Sequence, residues 1–168
     1  MILRSVLGSA LLAALLFGAG ANEQAGKMKL MFQSVDPSKA TLVGSGEDKE
    51  YCAVCGMNLV KFYKTNHVWD GKQVASLHCL YELTNGKIPS DARVVDTKNL
   101  NLIDANSAFY VVGSKIGGTM TRNSKYAFST EADAKEFQAE NGGEIMSFAK
   151  AYEIAGQDFE GDNKMIKA

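Results

Sequence analysis

The chain has 168 residues, a formal net charge of −1, 46% apolar residues and 22% charged ones. That balance lacks the basic excess that holds a protein on nucleic acid, so no nucleic-acid partner is expected. The length allows one domain or two small fused halves sharing a core.

Residues 1–21 read as an export signal. Arg4 gives the basic start, residues 6–17 an apolar run, and Ala19-Gly20-Ala21 the small residues a signal peptidase accepts. The run is too short for the roughly 20 apolar residues of a transmembrane helix. Export to the periplasm is therefore expected if the source is a Gram-negative bacterium. No cysteine lies near the cleavage point, so a form without a lipid anchor is expected too. Residues 22–50 are polar and glycine-containing, a partly ordered lead-in that lays one edge on the domain. Met28 and Met31 read as apolar anchors more readily than as a thioether pair.

Residues 59–63 are rich in β-forming types and read as a strand. His67-Val68-Trp69 and Gln73-Val74-Ala75 flank Asp70-Gly71, a strong hairpin signal because glycine accepts the positive φ of a tight turn. Ser76 is placed to cap a helix through about Asn85, with Leu77, Leu80, Tyr81 and Leu83 inward, and Gly86 and Pro89 beyond its end. Residues 92–96 are the returning strand. The order then repeats: strands at 108–112 and 125–128, and a helix capped by Ser129 or Thr130 through about Glu140. Gly142-Gly143 ends that helix, a strand follows at 144–148, and 149–154 add a final helical turn or two. Aligning Ser76 on Ser129 sets Cys79 opposite Ala132. The expected fold class is α+β, two tandem ββαβ units packed into one domain over 51–155, divided into 51–100 and 101–155. Residues 156–168 read as a polar, frayed tail.

The chemistry concentrates in Cys52-Ala53-Val54-Cys55-Gly56-Met57. Cys79 is the only other cysteine, and three is an odd number, so in an oxidising compartment one thiol has no internal partner. Three readings compete. Copper(I) prefers thiolate and thioether donors and accepts few of them; Met57 adds a sulfur that binds copper(I) but holds zinc poorly. Structural zinc needs four ligands, drawn from Cys52, Cys55, Cys79 and His78 or His67. His78 and Cys79, however, point about 100° apart on a helix, which makes sharing one ion awkward. A redox pair or simple disulfide is the third reading, but C-x-x-C exchange sites usually sit at a helix N-terminus, and this motif runs into Gly56 and β-forming residues. Met120, after Gly117-Gly118-Thr119, is a loop thioether that could reach the first half, or a packed side chain. Gly113-x-x-x-Gly117-Gly118 lacks the Lys-Ser/Thr of a phosphate loop, and no catalytic triad can be placed.

The C-x-x-C-G-M string, the Gly71-Lys72 turn with Cys79, and the Ala127-Phe128-Ser129, Ala132, Ala134, Phe137, Gly142-Gly143 series together resemble the NosL family. The string alone is also similar to small metal-binding modules of the YHS and TRASH types. The NosL resemblance covers roughly residues 51–152. It implies a periplasmic, non-enzymatic copper(I) chaperone for the maturation of nitrous oxide reductase, acting beside a membrane ABC transporter complex. It also implies a fold of two homologous ββαβ units related to part of organomercurial lyase. Carried onto this chain, the family's copper site implies Cys55 and Met57 first, with Cys52, and Met120 as the second-half thioether. His78 and Cys79 stand in reserve. Many family members are lipoproteins with a cysteine at the mature N-terminus, where this chain has Ala21-Asn22.

Overall fold

The computed structural model describes residues 31–166. The expected export signal, Met28 and the first part of the lead-in lie outside the described residues. Two antiparallel sheets carry the fold. The first holds β1 (His67–Trp69), β2 (Lys72–Val74), β3 (Arg93–Val95) and β4 (Leu102–Asp104) in the order β2-β1-β3-β4. The second holds β5 (Phe109–Val112), β6 (Lys125–Phe128) and β7 (Glu144–Met146) in the order β6-β5-β7. Helix α1 (Leu77–Leu83) precedes β3 as α2 (Glu131–Asn141) precedes β7. Each sheet thus places the first strand of a β-β-α-β run at its centre, so the fold is α+β with a repeated topology. β4 pairs with β3, so the first sheet reaches past residue 100 into the stretch read as the second unit.

Local chemistry explains the elements. Asp70 and Gly71 both have positive φ, 49° and 68°, which suits the tight β1–β2 turn. Ser76 caps α1 by accepting from the Cys79 amide, and Thr130, not Ser129, caps α2 by accepting from Asp133. Cys79 therefore corresponds to Asp133, one position on from Ala132. Both occupy the first turn of their helices.

Three expectations change. Residues 59–63 form turns instead of a strand: the Lys61 amide bonds to the Asn58 side chain and Leu59 is buried as a single anchor. The lead-in is tied down from Met31 onward. Phe32 packs on Tyr126 and Phe137, the Val35 amide bonds to Val60, and the Tyr63 hydroxyl bridges Thr41 and Leu100. Residues 156–166 of the expected tail are not frayed, because α3 runs Phe148–Ile166, the longest described helix. It buries Phe148, Ala151, Tyr152 and Ala155 in the core shared with α1, and a Cβ at Gly156 would stand 2.6 Å from the Tyr81 ring. Among the described residues, no helix is long and apolar enough to cross a membrane.

Candidate metal centre

Residues 52–57 form a closed loop. The Cys52 amide donates to the Met57 carbonyl at 2.8 Å and the Gly56 amide to the Cys52 carbonyl at 3.0 Å. Gly56 has φ 70°, a conformation that favours glycine, and there the chain turns back. A bridge between Tyr51 and Asn58 closes the neck. The Ala53 amide bonds to the Gln73 carbonyl and the Ala75 amide to Cys52 Sγ, which seats the loop on the junction between β2 and α1. Cys79 faces it from the first turn of α1.

The result is a three-thiol cluster. The sulfurs of Cys52, Cys55 and Cys79 all lie within 4.8 Å of one another. Cys52 and Cys79 are buried, at 4% and 1% exposure, while Cys55 is half-buried at the loop tip. The three thiols are not equivalent. Hydrogen bonding from the Cys79 thiol, helped by the Cys55, Val54 and Ala75 amides, brings the Cys52 pKa down to about 5 against the opposing effect of burial. Cys79 is driven up, because its proton is the one given to Cys52 and because it is buried. Burial raises Cys55, which the Met57 amide partly offsets. At neutral pH the cluster is one thiolate solvated by protein donors, with two protonated thiols beside it.

That arrangement discriminates between the three readings. A closed structural zinc site wants four ligands, and among the described residues the His, Cys, Asp and Glu group contains only these three. His67 is occupied in the core: Nδ1 pairs with the Thr65 carbonyl at 3.0 Å and Nε2 with the Tyr110 hydroxyl at 3.1 Å. Complete burial lowers its pKa to about 4, so it stays neutral. His78 adjoins Cys79 in sequence but is not in the cluster. An exchange enzyme needs an accessible thiolate at a helix start. Here the thiolate is the buried Cys52, on a loop. A soft ion of low coordination number fits the donor set best.

Met57, like Cys55, is partly buried against the larger core cluster. His78 and Met120 instead line a common cavity with Met165. Spacing alone left Cys79 in reserve; only the packing of α1 on the loop makes it a full member of the cluster. Met165 carried no sequence signal, since it sits in the stretch read as tail.

Residues 89–154 match the NosL family model, a span that begins after all three cysteines. A copper-binding lipoprotein NosL from Stutzerimonas stutzeri is 29% identical over 117 residues, 60% of this chain and 61% of the relative. The chain thus spans about 61% of the length of that curated relative. The crystal structure of the copper chaperone NosL from Shewanella denitrificans aligns with a TM-score of 0.49 at 21% identity, over 68% of this chain and 96% of that one. One expectation is overturned by these findings. A form without a lipid anchor does not stand, because the S. stutzeri relative is a lipoprotein. That expectation rested on the residues around Ala21, outside those described. The NosL resemblance is borne out: residues 89–154 match the family model, and the chain is similar in sequence to a curated NosL.

Proposed function

We propose that this chain is a copper(I) chaperone of the NosL type. It binds the ion through Cys52, Cys55 and Cys79, with Met57 as a supporting thioether, and serves the maturation of the copper centres of nitrous oxide reductase. The observation that carries the reading is the cluster itself, three sulfurs within 4.8 Å with one already ionised by its neighbours. The NosL match and the copper-binding relative support the choice of copper, and the sulfur donors the monovalent state.

The chain's task is binding and release of the ion by ligand exchange, without chemistry on a substrate. Cys52 offers a ready thiolate, so the first sulfur–copper bond needs no proton loss at that atom. Cys55, half-exposed on a glycine-hinged loop, is where an incoming partner sulfur or imidazole reaches the ion. Three-coordination leaves room for that fourth donor, and departure follows by exchange of one ligand at a time. The partners are the reductase as recipient and the membrane ABC transporter complex of the same pathway.

The test is transfer. Copper(I)-loaded protein is mixed anaerobically with metal-free reductase, the two are separated, and copper is measured in each. The expected result is movement of copper to the reductase faster than from a small chelator of equal affinity. Copper that stays on the chaperone, or moves no faster, overturns the assigned role.

A further inference from the structure

Sulfurs gathered for a metal are also close enough to oxidise. The three thiol sulfurs lie within 4.8 Å of one another, and a disulfide holds its two at about 2 Å. Closing that gap takes the movement of one side chain. The freedom and exposure of each thiol therefore decide which pair bonds.

Cys79 is fixed. It is 1% exposed in the first turn of α1, and its amide bonds to the Ser76 hydroxyl at 3.3 Å. Leu77 and Leu80 of the same helix are buried in the core, so this sulfur advances only if the helix does. Cys55 is the opposite case. It stands half-buried at the tip of its loop, beside Gly56, where a Cβ would meet nothing within 4 Å. Its amide already donates to Cys52 Sγ at 3.5 Å, which turns the loop tip toward that sulfur. A Cys52–Cys79 bond would join the two sulfurs that are buried now, and an incoming thiolate could not reach either. Reversible oxidation therefore requires Cys55.

We infer that Cys52 and Cys55 form a reversible disulfide, made and broken by exchange with a dithiol carrier, and that this bond closes the cluster to copper(I) while Cys79 stays a thiol. The closing to copper rests on the copper(I) reading above; the disulfide itself does not. In the reducing direction a thiolate of the carrier attacks Cys55 Sγ, the accessible end. The Cys52–Cys55 bond breaks, and Cys52 leaves as a thiolate that the Ala75 amide, 3.2 Å away, and the Cys55 amide receive. The carrier's second thiol then attacks the carrier sulfur of the mixed disulfide and expels Cys55 as a thiolate, which takes up a proton. Two electrons pass from the carrier to this chain and the carrier ends as a disulfide. Of the carrier's two protons, one rests on Cys55 and the other goes to solvent. Oxidation is the same path reversed, with the carrier's disulfide as electron acceptor. The chain is thus the substrate of exchange, in keeping with a thiolate too buried to act as its catalyst. Copper(I) and the disulfide compete for the same two sulfurs, so loading requires the reduced form.

The experiment treats the full metal-free chain anaerobically with excess oxidised glutathione. One portion is quenched with iodoacetamide and its peptides are mapped by mass spectrometry. A second is freed of glutathione and titrated against a copper(I) chelator, before and after exposure to dithiothreitol as the probe dithiol. The expected map shows a Cys52–Cys55 disulfide and an alkylated Cys79, in a chain whose circular dichroism is unchanged. Copper(I) affinity should fall at least about a hundredfold, since two ligands are lost, and return with dithiothreitol. A Cys52–Cys79 bond, a glutathione adduct that goes no further, or three alkylated thiols overturns the inference. So does an oxidised chain that binds copper(I) as tightly as the reduced one. A reduced chain that ignores copper(I) yet forms the Cys52–Cys55 bond overturns the copper reading and leaves the disulfide assignment standing.

Discussion

Cys52 carries the electrostatics of the cluster. With its pKa near 5 it is ionised across the neutral range, whereas Cys55 and Cys79 are shifted the other way and keep their protons. If copper(I) takes all three sulfurs, binding near pH 7 should release about two protons, and the conditional affinity should climb about a hundredfold per pH unit. Below about pH 5 the Cys52 proton joins them and the dependence steepens. Calorimetry in buffers of different ionisation enthalpy counts the protons, and a release near zero would contradict the assigned protonation states. His67 makes a separate statement about stability. Its folded pKa of about 4 lies below the ordinary 6.5, so the unfolded chain binds the proton more readily. Stability is therefore full above 6.5 and falls as pH drops toward 4. The loss is on the order of 2 kcal/mol by about pH 5. Urea midpoints at neutral and mildly acid pH should show this, and His67→Gln should flatten the difference.

At the scale of elements, α3 and the loop it pins are the least local part of the fold. Lys125 and Asp158 are both buried, 33 residues apart, with every charge satisfied by Thr121 and Asn123. Removing one partner strands the other, so Asp158→Asn should cost about 3–5 kcal/mol in thermal or urea unfolding. A loss under about 1 kcal/mol would mean the pair is solvated. This pairing also explains what the sequence could and could not disclose. The Asp70-Gly71 hairpin and the Ser76 cap were legible because their causes lie within three residues. α3 beyond Gly156 was not, since Asp158 looks like a solvent residue until Lys125 is brought to it. β4 is only three residues long and owes its strand character to pairing with β3. In the opposite direction, the β-forming types at 59–63 were overridden because Leu59 and Tyr63 serve as separate buried anchors in turns.

A four-stranded and a three-stranded sheet, built on the same β-β-α-β order, share one large cluster of buried residues, with a second around Val111, Tyr126, Phe128 and Phe137, and the candidate metal centre lies in the first half against α1. The C-x-x-C-G-M loop marked out a sulfur site by composition alone, with soft-metal, zinc and redox readings all open. The third thiol did not declare itself, because nothing within the 26 residues between Cys52 and Cys79 says that α1 will close over the loop. The same long-range packing draws His78 and Met120 to a different cavity from the thiols, where family likeness had grouped Met120 with the motif. The central claim is that three sulfurs hold one cuprous ion as a unit. It is tested most directly by competing a copper(I) chelator against reduced wild-type protein and against Cys55→Ser, with circular dichroism on both. Substituting a residue around a metal ligand typically costs 10–100-fold in affinity, so loss of a ligand itself should exceed about a hundredfold. The account predicts that loss with an unchanged fold. Wild-type affinity in the Cys55→Ser protein would contradict it.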